Sequence, residues 1–232
     1  MYERAPLSDP DTDEEEVMFF PTDMPLYDRL FFNWVEPVVH AGEDKSFGVD
    51  DMYRLPRGLM SKVVFEEFVM LWGTAQMESK TRPKLWNVLH DLIFVEFWIA
   101  GLYRLCSDIL VLFTPLLVRE FVVSAEIQST FDMLGLAIIF MLVLVAQAIC
   151  MQQFIHGCFM SGSKVVSAST SAVFHSSLAL RLHKMYPSKT IGEIHGLLSK
   201  DTFALREFVV FAHNLWACSL TIVVGVAMIL YL

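Results

Sequence analysis

Two charged residues lie inside an apolar stretch of this sequence. Arg104 and Asp108 are four residues apart, with Ser107 beside them. On a helix this spacing places both charges on one face. A charge inside a membrane-spanning helix is costly unless it is paired or faces a water-filled cavity, and the planar fork of arginine suits carboxylate ligands. The three residues are therefore candidates for a substrate site. The alternative is that Arg104 and Asp108 pair with each other and only hold helices together.

A second polar position occurs in the last apolar stretch of the chain. Trp216 can stack on the apolar part of a substrate, which makes it a further candidate for substrate binding, and packing against protein is the alternative. His213, three residues earlier, is predicted as a hydrogen-bonded packing residue rather than a proton relay.

One glycine motif has the spacing of a phosphate-binding loop. Gly157 and Gly162 precede Ser163 and Lys164. The true loop needs Gly-Lys-Ser/Thr after a strand, so that the lysine reaches the terminal phosphates and the hydroxyl binds magnesium. Here the serine precedes the lysine inside a predicted helix. The sequence thus predicts no ATP site, no catalytic residues and no metal site, and its four widely spaced cysteines predict reduced, packed thiols.

Composition and charge divide the chain in two. It has 232 residues, 55% of them hydrophobic, a mean hydropathy of +0.50 and a formal charge of −9. The first 92 residues carry 9 basic and 18 acidic side chains, whereas the rest carry 8 of each. This pattern favours a membrane protein and disfavours a nucleic-acid binder, which would need a basic surface. The acidic start also excludes a simple secretory signal, and residues 1–20 are predicted to be disordered.

Three stretches have the length that a helix needs to cross a bilayer. Lysine and arginine are frequent before the first stretch and between the second and third, but absent from the link between the first and second. Because positive segments stay in the cytoplasm, the N-terminus is predicted to be cytoplasmic. The predicted organisation is a cytoplasmic region at 21–91 and a membrane region at 92–232, with spans at about 92–123, 133–156 and 207–232.

The second span is predicted to continue as a cytoplasmic stalk. From Asp132, a candidate N-cap, no proline occurs before Pro187. Thr190, Gly192 and Glu193 lie in a capping-box sequence, and Ile194 falls on the apolar face of the short helix that follows, at about 191–199. Asp201 is the predicted cap of the next helix. The alternative for this tip is an ordinary helical turn.

Two shorter helices are predicted ahead of the membrane. Apolar residues recur at helical spacing between Leu26 and Val38, interrupted by Pro37, which fits a helix in the membrane interface or packed on protein. Residues 60–76 predict a second amphipathic helix.

Several strings, in this order, resemble one transporter family. They are Leu30-Phe31-Phe32-Asn33-Trp34-Val35-Glu36-Pro37, Asp51-Met52-Tyr53-Arg54-Leu55-Pro56, Gln152-Gln153-Phe154-Ile155-His156, Thr190-Ile191-Gly192-Glu193-Ile194, Leu198-Ser199-Lys200-Asp201 and Leu215-Trp216. Together they resemble the start of the first membrane domain of the multidrug resistance-associated proteins, subfamily C of the ATP-binding cassette (ABC) exporters. The acidic start without earlier spans further resembles the P-glycoprotein A-like thiol-conjugate pumps of kinetoplastids.

The resemblance implies roles for parts of the chain. Residues 26–42 match the family's lasso motif. Thr190, Gly192, Glu193 and Ile194 match the coupling helix that contacts a nucleotide-binding domain. Relatives have a basic residue matching Arg104 that binds the anionic end of glutathione conjugates; they have histidine where this chain has Ser107, which puts the substrate preference in doubt.

The resulting expectation is an all-α membrane protein, a partial ABC exporter transmembrane domain of type 1 exporter-like fold. It is expected to be the N-terminal part of an exporter of organic anions, thiol conjugates or drugs, in the plasma membrane or a vesicle membrane. ATP and Mg²⁺ would act at nucleotide-binding domains outside this chain, which with the bilayer and the remaining membrane helices are its expected partners. The alternative is a stand-alone three-span protein with a scaffold or regulatory role.

Overall fold

A computed structural model describes residues 25–44, 55–78, 83–126, 130–179 and 191–231. All secondary structure in these ranges is helical. The predicted disordered segment 1–20 and Thr190 lie outside the described residues. The chain divides into two compact units, Met1–Arg57 and Gly58–Leu232.

The first unit contains two short helices joined by a tight turn. Its elements are α1 at Leu26–Phe31, a 3-10 turn at Asn33–Val35 and α2 at Glu36–Asp44. Phe32 takes the left-handed conformation (φ 57°) between them, and Asn33 Nδ2 donates to Asp28 Oδ1 at 3.0 Å. The prediction that Pro37 interrupts a helix is wrong. Proline is the second residue of α2, where its missing N–H would have had no partner within the helix.

The second unit contains the long helices. A 3-10 turn at Arg57–Leu59 contains the boundary between the units. The elements that follow are α3 at Ser61–Glu78, α4 at Leu85–Glu126, α5 at Thr130–Ala179, α6 at Ile191–Gly196, a π-helical turn at Leu197–Asp201 and α7 at Thr202–Tyr231. The 50 residues of α5 extend about 75 Å at 1.5 Å per residue, more than twice a bilayer core of about 30 Å. The predicted long second helix is therefore present. Asp132 lies within α5 rather than at its N-cap.

Helical backbone continues from α6 through the π turn into α7. Gly196 and Thr202, the residues flanking the turn, both have right-handed helical dihedrals. Thr202 Oγ1 donates to the carbonyls of Leu198 at 2.7 Å and Ser199 at 3.3 Å. The predicted cap at Asp201 is wrong, because the helix does not restart there and offers no free amides to cap.

Four helices share the main hydrophobic core. Residues of α3 pack on the first turns of α4, on the second half of α5 and on α7. The buried residues of this core, from all four helices, are Val64, Phe68, Val88, Leu89, Leu92, Ile93, Val165, Ala168 and Val209. A smaller cluster lies further along α4 and α5 and contains Ala100, Phe154 and Cys158. All four cysteines are free thiols, as predicted, but Cys106 and Cys218 are exposed rather than packed.

Two segments of the described chain are long and apolar enough to cross a membrane, Met133–Leu178 and Gly192–Leu230. Similar helices occur in the cores of soluble proteins, where they are mostly buried. Here the apolar window of the first is 0% buried and that of the second 17%, so these side chains face outward, as contact with lipid requires. Both helices favour a membrane protein. The third span, the order of crossing and a cytoplasmic N-terminus stay predictions.

Glycines of the rejected phosphate-loop motif lie where helices approach each other closely. A Cβ atom added at Gly157 would lie 2.9 Å from the Cβ of Ala100 on α4, and one at Gly162 would lie 2.8 Å from Cγ of Arg206 on α7. Carbon atoms in contact need about 3.5–4.0 Å. Because these glycines have no side chain, α4 and α7 can pack closely against α5. This packing explains the two glycines without a bound phosphate.

We predict that Gly157→Ala destabilises the chain by about 1–3 kcal/mol, because the added methyl group overpacks the contact with Ala100. Gly135→Ala is the matched control on α5, since nothing lies within 4 Å of its added Cβ. Alanine there should be neutral or stabilise by up to about 1 kcal/mol through helix propensity. Thermal unfolding in detergent micelles measures both, and a control that loses as much stability as Gly157→Ala contradicts the close contact.

Candidate functional site

Arg104 and Asp108 form an ion pair within α4. Arg104 Nε donates to Asp108 Oδ2 at 3.1 Å, and the two side chains are only 16% and 7% exposed. The guanidinium also contacts α5, where Nη1 lies 3.7 Å from Met151 Sδ and Cζ lies 5.4 Å from the centroid of the Phe154 ring. Because the ion pair belongs to one helix, it cannot join helices by itself. The contacts with Met151 and Phe154 do that.

The pair explains how two charges are tolerated in an apolar helix. An unpaired ion in this environment would carry a large desolvation cost, which the opposite charge and the hydrogen bond offset. Arginine has five N–H donors. Among the described residues, the polar contacts of this guanidinium are Nε with Asp108 and Nη1 with Met151 Sδ, a weak acceptor. The edge formed by Nη1 and Nη2 is therefore the one on which a carboxylate ligand can bind. Ser107 is 3% exposed, and its role in binding stays a prediction.

Trp216 is held by His213. Its indole Nε1 donates to His213 Nδ1 at 3.1 Å, while His213 Nε2 lies 3.0 Å from the carbonyl oxygen of Phe97. An indole N–H can only donate and a carbonyl can only accept, so Nδ1 is the acceptor and the imidazole proton is on Nε2. His213 is thus a neutral, hydrogen-bonded packing residue in the described chain. Trp216 remains 37% exposed, which leaves part of its ring surface available to a ligand.

The histidine fits because α4 has a glycine opposite it. A Cβ atom at Gly101 would lie 2.6 Å from His213 Cε1. The imidazole ring stacks on Phe97, with centroids 4.1 Å apart, and contacts Phe154 at 6.0 Å. Phe154 therefore joins the two candidate groups, since Arg104 lies over its ring and His213 lies beside it. Arg104 and Trp216 belong to one cluster, connected through Phe154 and His213.

A second ion pair joins α4 and α5. Lys164 Nζ donates to Glu96 Oε1, with side-chain exposures of 15% and 39%. The sequence does not predict this pair, because its members are 68 positions apart and only the antiparallel register of the two helices brings them together. The lysine of the rejected phosphate-loop motif therefore has a structural partner.

The predicted coupling residues lie at the helical tip. Gly192 and Glu193 are exposed on α6, whereas Ile194 is partly buried and lines a cavity formed with α3 and α5. Thr190 lies outside the described residues, so the predicted capping box stays a prediction.

The fold and these side chains are those of a helical membrane protein that carries one ion pair within a helix and one between packed helices. Over 208 residues the chain is 28% identical to "ABC transporter C family member 8" of Dictyostelium discoideum. The match covers 88% of this chain and 13% of that protein, so the chain spans about an eighth of the relative's length. No protein-family model matches the chain. The similarity supports the resemblance to ABC subfamily C at the level of the family.

We predict that the Glu96 and Lys164 pair stabilises the α4–α5 contact. Glu96→Gln or Lys164→Met alone should cost about 1–3 kcal/mol, between the values for exposed and for buried pairs, because each leaves a partly buried charge without its partner. The double variant should cost less than the sum of the two. Thermal unfolding in detergent gives all three values, and strictly additive losses would exclude the interaction.

Proposed function

We propose that this chain is the N-terminal part of an ATP-driven exporter of ABC subfamily C that moves organic anions, glutathione or thiol conjugates, or drugs. The observation that carries the proposal is the Arg104 guanidinium, placed within an apolar helix, paired along one edge and in contact with the neighbouring helix. The similarity to a family C transporter supports the same function. The thiol-conjugate class follows from the sequence resemblance alone.

In this proposal Asp108 orients Arg104 and the substrate completes its hydrogen bonding. The bond from Nε to Asp108 fixes the plane of the guanidinium, so its other edge points in a defined direction before a ligand arrives. A substrate carboxylate accepts from Nη1 and Nη2 and displaces Met151 Sδ, which is a weak acceptor. Trp216 supplies an aromatic surface for the apolar part of the substrate. Ser107, the position at which relatives have histidine, adjusts the preference among anions.

In this proposal the residues that bind and hydrolyse ATP lie outside this chain. The Gly157 to Lys164 motif lies within α5, and Lys164 is paired with Glu96, so these residues do not fit a nucleotide phosphate. In this proposal ATP and Mg²⁺ act at nucleotide-binding domains elsewhere in the full-length protein, as the resemblance to the family implies. The exposed face of α6, with Gly192 and Glu193, contacts one of these domains and transmits its movement through the continuous helix to α7.

The scaffold or regulatory alternative is decided by the transcript. If the messenger RNA continues in frame beyond Leu232 into further spans and a Gly-x-x-x-x-Gly-Lys-Ser/Thr loop, the exporter proposal is supported. A stop codon directly after Leu232 in every transcript contradicts it.

Arg104→Ala in the full-length protein is expected to lower the uptake of glutathione-type anions into inside-out vesicles by about 10- to 100-fold. This range corresponds to the loss of a charge-assisted hydrogen bond of about 1.5–3 kcal/mol. Neutral compounds should be affected much less. Arg104→Lys should give an intermediate loss, because it keeps the charge without the planar fork. Arg119→Ala, an exposed arginine on the same helix, is the matched control. Equal losses for anionic and neutral compounds would reject the assignment.

Glu193→Ala in the full-length protein is expected to weaken coupling, because it changes the exposed face of α6 that meets the nucleotide-binding domain. The number of substrates moved per ATP hydrolysed should fall, measured by uptake and hydrolysis in the same vesicles. Glu120→Ala, an exposed glutamate on α4, controls for loss of a surface charge. An unchanged ratio for Glu193→Ala indicates a passive turn.

A further inference from the structure

Arg206 lies where the uncharged part of α7 begins. From Phe208 to Tyr231 the helix contains no charged residue, and this part belongs to a membrane-capable segment. The polar headgroups on each side of a bilayer core form a layer of roughly 5–8 Å, about four residues of helix. We therefore expect the Arg206 side chain at the level of the headgroups. The residue does not belong to the proposed substrate cluster.

Exposed aromatic rings occur at the same level on three helices. Trp86 on α4, Phe159 on α5, and Phe203 and Phe208 on α7 are 41–51% exposed. The rings of Trp86 and Phe208 meet edge to face with centroids 5.1 Å apart. Tryptophan is enriched at the boundary between bilayer and water, where its amphipathic ring sits beside the headgroups. These rings therefore support the same level without reference to the predicted spans.

The guanidinium of Arg206 is held between α5 and α7. Its Cζ lies 5.8 Å from the ring centroid of Phe159 and 5.5 Å from that of Phe203. The stem packs where α5 has no side chain, since a Cβ atom at Gly162 would lie 2.8 Å from Arg206 Cγ. Nε is buried, whereas the side chain as a whole is 31% exposed. The end that carries Nη1 and Nη2 is therefore the part that a ligand can reach.

The charge of Arg206 has a weak partner. Nη2 lies 3.4 Å from Glu207 Oε1, and the glutamate side chain is 53% exposed. Charge-assisted bonds are usually about 2.7–2.9 Å long, and exposed ion pairs contribute little to stability. A purely anionic ligand would bring its charge close to Glu207. A ligand that carries an anion and a cation side by side can instead pair with both residues.

We propose that Arg206 and Glu207 bind the zwitterionic headgroup of phosphatidylethanolamine. Nη1 and Nη2 of Arg206 donate to a phosphate oxygen, and the ammonium group of the lipid donates to the carboxylate of Glu207. Two carbon atoms join the phosphate to the ammonium, so the two groups can reach neighbouring side chains. A choline headgroup has no N–H to donate, and a glycerol headgroup has no cation. The acyl chains extend along the outward-facing apolar surface of α7.

The test compares three lipids with identical acyl chains on the full chain in detergent: phosphatidylethanolamine, phosphatidylcholine and phosphatidylglycerol. Native mass spectrometry measures the bound fraction at each lipid concentration. Phosphatidylethanolamine should bind about 3- to 10-fold more tightly than the other two, the effect of one added hydrogen bond. Preferred binding of phosphatidylglycerol, or displacement of the lipid by an equal concentration of inorganic phosphate, would overturn the proposal.

Arg206→Met keeps an unbranched apolar stem but removes the charge. It should weaken phosphatidylethanolamine binding by about 10-fold or more, because charge-assisted hydrogen bonds are lost. Arg206→Lys should lose less, since it keeps the charge. Lys200→Met is the matched control: this exposed lysine lies six residues earlier, about 9 Å along the helical path. Equal losses for Arg206→Met and Lys200→Met would contradict a site at Arg206.

Glu207→Gln tests the ammonium half of the site. The neutral amide no longer attracts the ammonium group, so the preference for phosphatidylethanolamine over phosphatidylglycerol should disappear. Asp201→Asn, which removes an exposed carboxylate six residues earlier, should keep the preference. Because the preference is a ratio of two affinities of the same variant, a general loss of stability does not imitate the result. A preference that persists in Glu207→Gln would overturn the proposal.

Discussion

The close contact of α4 with α5 at Ala100 and Gly157 sets the register on which the other interactions depend. Because the two helices are antiparallel and meet without a side chain on Gly157, residues before Ala100 face residues after Gly157, and the reverse. This register brings Glu96 to Lys164 on one side of the contact and Arg104 to Met151 on the other. A change of one helical residue in the register would separate both pairs, so the polar cluster is positioned by an apolar contact between very small groups.

In this arrangement of helices, the charges of Arg104 and Lys164 each have a partner. Arg104 is neutralised along its own helix, and Lys164 is neutralised across helices. His213 is neutral and bonded through both ring nitrogens. The difference between the two ion pairs matters, because an intrahelical pair can remain while α4 moves relative to its neighbours, whereas the cross-helix pair must break.

The sequence predicted the long helices well, because uninterrupted apolar runs with few prolines leave little choice in a membrane-like chain. It also singled out Arg104 and Asp108, since a four-residue spacing is visible locally. It missed the partner of Lys164 and the space beside Gly101, which depend on contacts between distant segments. The bond between His213 and Trp216 was readable from their three-residue spacing. The prediction that Asp201 caps a helix was wrong, because the sequence alone does not distinguish an N-cap residue from a residue inside a continuous helix.

The π-helical turn at Leu197–Asp201 has a mechanical consequence for the tip. A π turn contains an extra residue relative to an α-helix, and neighbouring residues can exchange the two hydrogen-bonding patterns. If the turn returned to the α-helical pattern, the extra residue would join the regular helix and the phase between α6 and α7 would change by about 100°, the angle of one residue in a helix. The junction thus joins the two helices by continuous backbone while their relative rotation about the helix axis depends on which hydrogen-bonding pattern the turn adopts.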